Sequence, residues 1–453
     1  MRAEPSEVVI LGGGLTGISA ARHLTRSWIL LEKEARLGGH ARTDERDGYH
    51  FDKTGHWLHL RDPYTKNLIA DLLGDKMVPV ERRARIFANG ALTRYPFQAN
   101  LYGQPPEVVK ECLVGFVLAW RRRQDPQAGA PLPPPANFED FIHREFGAGI
   151  ARHFMIPYNH KLWGVHPREI TSAWCTRFVP IPKLEEVVAG AVGANPPEMG
   201  YNVSFLYPRE GGIETMTRAL AHGLVERGEV RTGTSPDAID VAARAVEVGG
   251  ERIPYRALVA TLPLPDLLRR IRGMPASVEL AATRLRATPV RYLNVATKSS
   301  PPVDYHWIYA PEEKYPFYRA GIYSNAVPSM APPGRGSLYV ELSERGPFPT
   351  GAERDTLNLR VAQGLVEAGA IKSPDDLLFM DLHELPHAYV VFDDHYYDAT
   401  DTIRRWLEAN GIYPRGRYGS WTYNSMEDCI LAGREVAELL NARLGEVSAQ
   451  AIK

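Results

Sequence analysis

Cysteine is scarce in this chain, and the few cysteines fit no metal or redox pattern. The 453 residues include three, Cys112, Cys175 and Cys429, which lie far apart. Their spacing matches no disulfide framework, zinc site or redox pair. The sequence therefore predicts isolated thiols in a reducing compartment.

Long apolar runs are also missing. The longest, residues 113–120, is far shorter than the roughly 20 residues that cross a bilayer. Residues 1–7 are mostly polar, and the first apolar run leads into glycines instead of a signal-peptide cleavage site. We therefore predict a cytoplasmic protein without a membrane span.

An excess of either charge is the third absence. Lysine and arginine total 53 and aspartate and glutamate 54, interspersed along the chain, for a formal net charge of −1. This balance argues against a nucleic-acid partner or a polybasic membrane patch. A metal site is not expected either, because the His56-x-x-His59 pair has no third ligand nearby.

What the sequence does contain is a dinucleotide-binding pattern at its start. Residues 7–11 predict a strand, ISAARHLTR a helix, and residues 28–31 a second strand that ends before Glu32. Between the first strand and the helix, Gly12, Gly14 and Gly17 form G-x-G-x-x-G. Glycine allows the tight turn, the approach of the backbone to a pyrophosphate, and the contact of helix with strand. Glu32 is placed to accept hydrogen bonds from a ribose.

A second glycine motif follows in Arg36–Thr43, which reads R-x-G-G-x-x-x-T and includes Gly38 and Gly39. It resembles the second fingerprint of the FAD-binding family that includes amine oxidases and protoporphyrinogen oxidase. With the first motif it favours FAD over NAD as the cofactor. Near the other end, Gly416–Trp421 precedes a helix predicted over 425–444. In flavoproteins of this build the N-terminus of such a helix points at the flavin, where its dipole stabilises negative charge.

The chain is too long for one core, and its patterns predict an α/β fold: a Rossmann-like FAD-binding domain with a helical insertion and a strand-rich substrate domain. Helical spacing occupies 105–125 and 138–156, separated by a proline-rich connection, and strand-like patterns occupy 239–263 and 290–345. The predicted boundaries are 1–95 with 205–265 and 410–450 for the FAD domain, 96–204 for the helical region, and 266–409 for the substrate domain.

Several separated segments together resemble one family, the UDP-galactopyranose mutases, most closely the eukaryotic type. They are Gly55–His59, Tyr95–Asn100, Pro157–Gly164 with Trp174 and Arg177 following, Tyr207–Gly212, Pro316–Asn325 and Gly416–Trp421. The residue types by themselves also favour a diphosphate-containing substrate, because the planar guanidinium of arginine can donate paired hydrogen bonds to phosphate oxygens. Arg177 and Arg319 lie among aromatic and amide residues instead of on a charged run.

The resemblance implies a set of site residues. Catalytic roles fall to Arg177, Arg319, His56 and His59. Cofactor contacts extend from the glycines and Glu32 to Lys33, Arg417 and Met426. Substrate contacts fall to Tyr95, Gln98, Asn100, Asn159, Trp163, Asn202, Tyr309, Tyr389 and Tyr423. For each aromatic residue, packing in the core is an equal alternative to stacking on a sugar.

The implied activity is pyranose/furanose interconversion of a nucleotide sugar, most simply a UDP-sugar. It is redox-neutral and uses a reduced-flavin N5–sugar adduct, so the cofactor is the nucleophile. The partners implied are the nucleotide sugar and NAD(P)H or another reductant that maintains reduced FAD. Two alternatives remain: an amine- or protoporphyrinogen-oxidase-like oxidoreductase, and a flavin-containing binder of nucleotide sugars without activity.

Overall fold

The computed structural model describes residues 6–124, 133–174, 179–194 and 203–451, with side chains as far as residue 445. Its strands are β1 (Val8–Leu11), β2 (Trp28–Leu31), β3 (Thr43–Arg46), β4 (Tyr49–Asp52), β5 (Met77–Glu81), β6 (Ala84–Ala88), β7 (Ala91–Arg94), β8 (Ser204–Pro208), β9 (Glu229–Arg231), β10 (Ala238–Asp240), β11 (Ala245–Val248), β12 (Glu251–Pro254), β13 (Ala257–Ala260), β14 (Ile271–Arg272), β15 (Ala287–Thr297), β16 (Trp307–Tyr309), β17 (Phe317–Ile322), β18 (Gly336–Leu342), β19 (Leu377–Val390) and β20 (Ile412–Pro414).

Its helices are α1 (Leu15–His23), α2 (Pro63–Leu73), α3 (Pro106–Gln124), α4 (Phe138–Ile150), α5 (Ile156–Trp163), α6 (Leu184–Ala191), α7 (Glu214–Ala221), α8 (Leu264–Leu268), α9 (Ala276–Ala282), α10 (Tyr323–Ala326), α11 (Gly351–Glu367), α12 (Tyr396–Ala409), α13 (Gly416–Gly419) and α14 (Met426–Ala451). The fold is mixed α/β, as the sequence predicted. None of these helices is long and apolar enough to cross a membrane.

A five-stranded parallel sheet lies at the centre of the nucleotide-binding part. Its order is β20-β13-β1-β2-β9. Strands β1, β2 and β13 are buried along their whole length, which explains their continuous apolar sequences. The predicted β1–α1–β2 unit is confirmed. Because all five strands run the same way, the chain leaves each of them at one edge, where ligands of such sheets bind.

The second large sheet has seven strands in the order β19-β15-β18-β17-β16-β6-β7. Strands β6 and β7 cover residues 84–94 and form one end of this sheet. Strand β6 pairs in parallel with β16, and Ile86 lies opposite Tyr309. Pairing between segments more than 200 residues apart leaves no local pattern in the sequence. The predicted domain boundaries stay predictions.

The helical region contacts the seven-stranded sheet through α5. The helices predicted over 105–125 and 138–156 are confirmed as α3 and as α4 with a following π-helical turn, residues 151–155. Residues 125–132 of the proline-rich connection lie outside the described part. Helix α5 continues directly from the π turn and lies beside β17. The chain thereby brings Pro157–Gly164 to the strand that contains Arg319.

The predicted C-terminal helix is confirmed as α14, which packs along α1. Ser425 precedes it: its hydroxyl accepts from the Asp428 N–H at 3.1 Å, and its own N–H donates to the Asp428 carboxylate at 2.8 Å. This reciprocal pair is a capping box. It starts the helix at Met426, directly after the Gly416–Trp421 turn.

Candidate active site

The turn after β1 has no room for side chains at its glycine positions. Gly12 has φ +100°, and a Cβ there would lie 2.4 Å from Oγ1 of Thr261. A Cβ on Gly17 would lie 1.9 Å from the Gly12 carbonyl oxygen. Gly14 is the N-cap of α1, and no side chain of the described residues caps the first N–H groups. Those N–H groups and the helix dipole are therefore available to a phosphate.

Glu32 lies at the same edge of the sheet, one residue after β2. Its carboxylate accepts from the Gly13 N–H at 2.6 Å and the Glu34 N–H at 2.8 Å. These bonds orient the carboxylate and leave lone pairs for ribose hydroxyls. The neighbouring Lys33 is 74% exposed and lies 3.8 Å from Glu34, so its assignment to the cofactor stays a prediction.

The second glycine motif closes onto the first. Gly38 and Gly39 have φ +125° and +59°, and the Gly38 N–H donates to the Gly13 carbonyl at 2.7 Å. A Cβ on Gly39 would lie 3.0 Å from the Gly14 Cα. The two motifs therefore form one continuous backbone cradle that larger side chains would fill.

The C-terminal turn adds a cation to this region. The Arg417 guanidinium donates to the carbonyls of Asn424 at 2.8 Å and Ala388 at 2.9 Å, and lies 4.5 Å from the centre of the Tyr423 ring. Met426, the first residue of α14, is half-buried. The glycine cradle, the uncapped start of α1, Glu32 and this cation together fit FAD.

Arg319 forms a cross-strand pair with a buried carboxylate. It lies on β17, opposite Glu341 on β18 in the register of the sheet. Its Nε donates to Oε2 of Glu341 at 2.9 Å and its Nη2 to Oε1 at 2.5 Å. The Glu341 side chain is 1% exposed and that of Arg319 22%. No described residue accepts a hydrogen bond from Nη1 of Arg319, so this nitrogen can serve a ligand.

Tyrosine rings surround this ion pair and connect it with Arg417. The ring of Tyr309 lies 5.3 Å from that of Tyr95 and 5.4 Å from that of Tyr158. Tyr389 stacks on Tyr423 with ring centres 6.3 Å apart and planes 9° apart. Burial raises the pKa of Tyr389, while Arg319 and Arg417 both act to lower it. Tyr389 is thus within electrostatic reach of both arginines.

His56 faces the same cations. Burial lowers its pKa to about 4, and the charges of Arg417, Arg319 and Lys53 act in the same direction. His40, in the second glycine motif, has its pKa lowered to about 3 by burial, with Lys53 the first charge to contribute. Both imidazoles are therefore neutral near pH 7. A site with this field favours an anion.

His59 has different neighbours from His56. Its Nδ1 lies 3.1 Å from the Ser204 carbonyl oxygen. Burial lowers its pKa to about 4, and the positive charges of Arg82 and Arg61 lower it further. The Arg82 guanidinium also lies 4.7 Å from the centre of the Tyr95 ring. The two histidines thus occupy separate electrostatic environments, and their catalytic roles stay predictions.

The predicted amide ligands already use one N–H each on the main chain. Gln98 donates to the Pro180 carbonyl at 3.4 Å and Asn100 to the Pro96 carbonyl at 3.1 Å. Asn159 donates to the Met155 carbonyl at 2.7 Å, one turn back in the helical segment. These bonds fix the amide planes while the other amide groups remain for a substrate.

Trp163 packs in the core. It is 2% exposed, its ring lies 5.5 Å from that of Tyr389, and its indole N–H has no partner among the described residues. The ring of Trp163 therefore packs in the core, which is the alternative role given above for the aromatic residues. Its indole N–H can still donate a hydrogen bond, so a substrate contact through that group stays a prediction. Two other predicted residues, Arg177 and Asn202, lie outside the described residues, and their roles stay predictions.

Several residues of this site were missed at the level of sequence. Glu341 carries the clearest signal, because it is a charged residue inside the apolar strand LYVEL and so calls for a buried partner. Tyr158 lies inside the Pro157–Gly164 segment, from which the sequence predicts Asn159 and Trp163 as substrate contacts but not Tyr158. Arg82 and Lys53 have no distinguishing pattern, since Arg82 lies in the charged run of residues 81–85 and Lys53 follows Asp52, and cations in such settings are usually solvated.

Acid should destabilise the protein through these histidines. A histidine whose pKa is lowered on folding binds its proton more readily in the unfolded chain, so stability falls as pH drops from about 6.5 towards 4. Buried Asp52, whose pKa burial raises to about 7, acts in the opposite direction. We therefore expect His56→Gln to flatten the fall in Tm between pH 6.5 and 4.5, while exposed His222→Gln leaves it unchanged. Parallel profiles for parent and His56→Gln would contradict this.

Fold and cradle together define a dinucleotide-binding flavoprotein. Comparison with protein families agrees: the family described as "Flavin containing amine oxidoreductase" matches residues 15–441. The chain belongs to this family, and FAD is its cofactor.

Solved structures resemble the chain over almost its whole length. Reduced UDP-galactopyranose mutase has a TM-score of 0.87 and 27% identity, covering 96% of this chain and 95% of that one. A putative protoporphyrinogen oxidase from Exiguobacterium sp. 255-15 has a TM-score of 0.71 and 17% identity, covering 97% of this chain and 99% of the other. The second likeness concerns the fold alone.

Curated relatives match over shorter segments. Polyamine oxidase 5 of Oryza sativa subsp. japonica is 43% identical over 60 residues, which are 13% of this chain and 12% of that protein. Coproporphyrinogen III oxidase of Propionibacterium freudenreichii subsp. freudenreichii is 26% identical over 182 residues, 37% of this chain and 34% of the relative. The matches thus span between about an eighth and a third of these relatives.

Proposed function

We propose that this flavoprotein interconverts the pyranose and furanose forms of a nucleotide sugar, most simply a UDP-galactose-type substrate. The observation that supports this most is Arg319, which buried Glu341 holds through Nε and Nη2 while Nη1 remains for a ligand. A guanidinium fixed in this way is preorganised for a diphosphate oxygen.

The charge of the site supports an anionic substrate over an amine. Arg417 donates to main-chain carbonyls instead of a carboxylate. Burial is the largest cause of the lowered pKa of His56, and the charges of Arg417, Arg319 and Lys53 lower it further. A protonated amine would meet this field unfavourably, whereas a diphosphate would be attracted. The positive charge of the site therefore favours the mutase proposal over oxidation of a polyamine, the activity for which some of the relatives are named.

When bound in the reduced form, FAD supplies the nucleophile that exchanges with the diphosphate at the anomeric carbon. In this proposal Arg319, together with Arg177, holds the departing diphosphate and returns it to the sugar. Tyr95, Tyr309, Tyr389 and Tyr423 line the sugar and nucleotide, where their rings exclude water and their hydroxyls donate hydrogen bonds. NAD(P)H or another reductant maintains the reduced cofactor.

The test is turnover of UDP-galactofuranose by dithionite-reduced protein, with chromatography of UDP-galactopyranose. We expect conversion in the reduced sample and none in an oxidised control, because the reaction needs the reduced cofactor without net electron transfer. NADPH in place of dithionite tests the reductant. FAD-loaded, reduced protein that produces no UDP-galactopyranose would reject this substrate.

An oxidoreductase of the amine- or protoporphyrinogen-oxidase type is the second candidate, because the chain belongs to the amine oxidoreductase family. Such an enzyme transfers hydride from substrate to oxidised flavin and passes the electrons to oxygen. Substrate-dependent oxygen uptake by the oxidised protein, with polyamines and coproporphyrinogen III as probes, would favour it. Redox-neutral conversion of the nucleotide sugar without oxygen uptake would favour the mutase.

A further inference from the structure

A buried lysine joins helix α5 to the turn that precedes Arg319. Lys161 is 8% exposed, and its Nζ lies within hydrogen-bonding distance of four main-chain carbonyl oxygens. They belong to Ala310 at 2.9 Å, Glu312 at 2.8 Å, Tyr315 at 3.0 Å and Phe317 at 2.6 Å. The ammonium thus has three N–H groups for four acceptors, and none of the acceptors is a carboxylate.

Three of the four carbonyls lie in the connection between β16 and β17, and the fourth belongs to Phe317, the first residue of β17. Tyr309 ends β16 before this turn, and Arg319 follows it on β17 after a bulge at Tyr318. The main-chain bonds of the turn include one from the Ala310 N–H to the Tyr318 carbonyl at 2.9 Å and one from the Tyr315 N–H to the Glu312 carbonyl at 3.3 Å. Without the ammonium, these carbonyls would lose their bond to Lys161, and the Glu312 carbonyl would keep only the long bond from Tyr315, at a cost that favours opening of the turn.

The same helix is tied to the strand of Glu341. Nη2 of Arg345, three residues beyond the end of β18, donates to the carbonyls of Lys161 at 3.0 Å and Leu162 at 3.2 Å. Tyr158, one turn before Lys161, packs against Tyr309 and Tyr318 with ring centres 5.4 Å and 6.4 Å away. Helix α5 therefore contacts β17, which contains Arg319, and the segment that follows β18, the strand of Glu341. Lys161 supplies the polar contact with the turn before Arg319.

We propose that Lys161 is a positioning residue that sets the place of Tyr309 and Arg319 by clamping the 310–317 turn. Burial lowers its pKa to about 7, in keeping with an ammonium solvated by dipoles instead of a counter-ion. The contacts between Lys161 and the turn do not depend on which substrate the protein binds. Its expected effect on UDP binding and turnover rests on the proposed function.

Chemical rescue tests the clamp. Lys161→Ala removes a group that n-propylammonium reproduces atom for atom beyond Cβ. At pH 6.5 we expect faster amide hydrogen exchange over 310–322, weaker UDP binding by about tenfold and slower turnover by about 100-fold, as for a displacement of catalytic groups by about 1 Å. Propylammonium should reverse all three changes. Tetramethylammonium, which has no N–H, should reverse none.

Lys110→Ala is the matched control, because Lys110 is exposed and Glu107 is its ion-pair partner among the described residues; it should behave like the parent chain. Unchanged exchange over 310–322 in Lys161→Ala, or an equal response to both ammonium ions, would overturn the clamp. If Lys161→Ala does not fold, Lys161→Arg is measured, since a planar guanidinium cannot point at four converging carbonyls. Parent-like exchange and UDP affinity in Lys161→Arg would then overturn it.

The two proposals fail separately. Absence of turnover and UDP binding in the parent chain would reject the nucleotide-sugar function, while exchange over 310–322 would still report on Lys161. If Lys161→Ala shows faster exchange that propylammonium reverses, but binds UDP as tightly as the parent chain, then Lys161 only stabilises the turn. That result would reject its positioning role.

Discussion

Arg319→Met should slow turnover of UDP-galactofuranose by the reduced protein about 10³-fold, because it removes a preorganised donor from the charge that develops on the diphosphate. FAD should remain bound, since the glycine cradle is untouched. The free energy of unfolding should also fall, by about 3–5 kcal/mol, because Glu341 becomes a buried carboxylate without its cation. Steady-state kinetics and denaturant unfolding measure the two effects.

A double variant separates them. Arg319→Met/Glu341→Leu replaces the buried ion pair by apolar residues and should recover most of the stability while turnover stays low. The same sheet offers a matched control in Arg291 and Glu384, a cross-strand pair on β15 and β19 with a 2.8 Å bond. Arg291→Met/Glu384→Leu should retain turnover. Parent-like turnover by the Arg319–Glu341 double variant would show that Arg319 does not bind the diphosphate.

Gly17→Ala should yield protein with less than about a tenth of the parent's bound FAD, a loss of more than about 1.4 kcal/mol of binding free energy. The added Cβ would lie 1.9 Å from the Gly12 carbonyl oxygen and 3.1 Å from its carbon. Both atoms are backbone, so the overlap is relieved only if the turn moves away from α1. Flavin absorbance of the purified protein measures the occupancy.

Gly445→Ala is the control for this variant. Gly445 is also helical, but its added Cβ would meet only the Arg26 guanidinium, at 2.7 Å, and that flexible side chain can move. We expect full FAD occupancy, with a small gain in helix stability. Equal occupancy in Gly17→Ala and Gly445→Ala would mean that the cradle tolerates a methyl group and that its geometry is not what holds the cofactor.

The sequence by itself determined the nucleotide-binding unit. Strand β1, the glycine turn, α1 and β2 are contiguous, so the residues that specify them are neighbours in the chain and their spacing reports the geometry directly. The same holds for helices α3, α4 and α14, whose periodic patterns were sufficient. The cofactor also followed from local motifs.

The tertiary structure alone decided how the substrate side is built. Arg319 was visible in the sequence, but its partner Glu341 depends on the register of β17 against β18, and a shift of one residue would turn that side chain to the opposite face. Lys161 finds its four carbonyls in a turn about 150 residues away, and β6 pairs with β16 across more than 200. His56 and His59, three residues apart, differ in their charged neighbours. Partnerships of this kind depend on how distant segments pack, and no local pattern of residues records that packing.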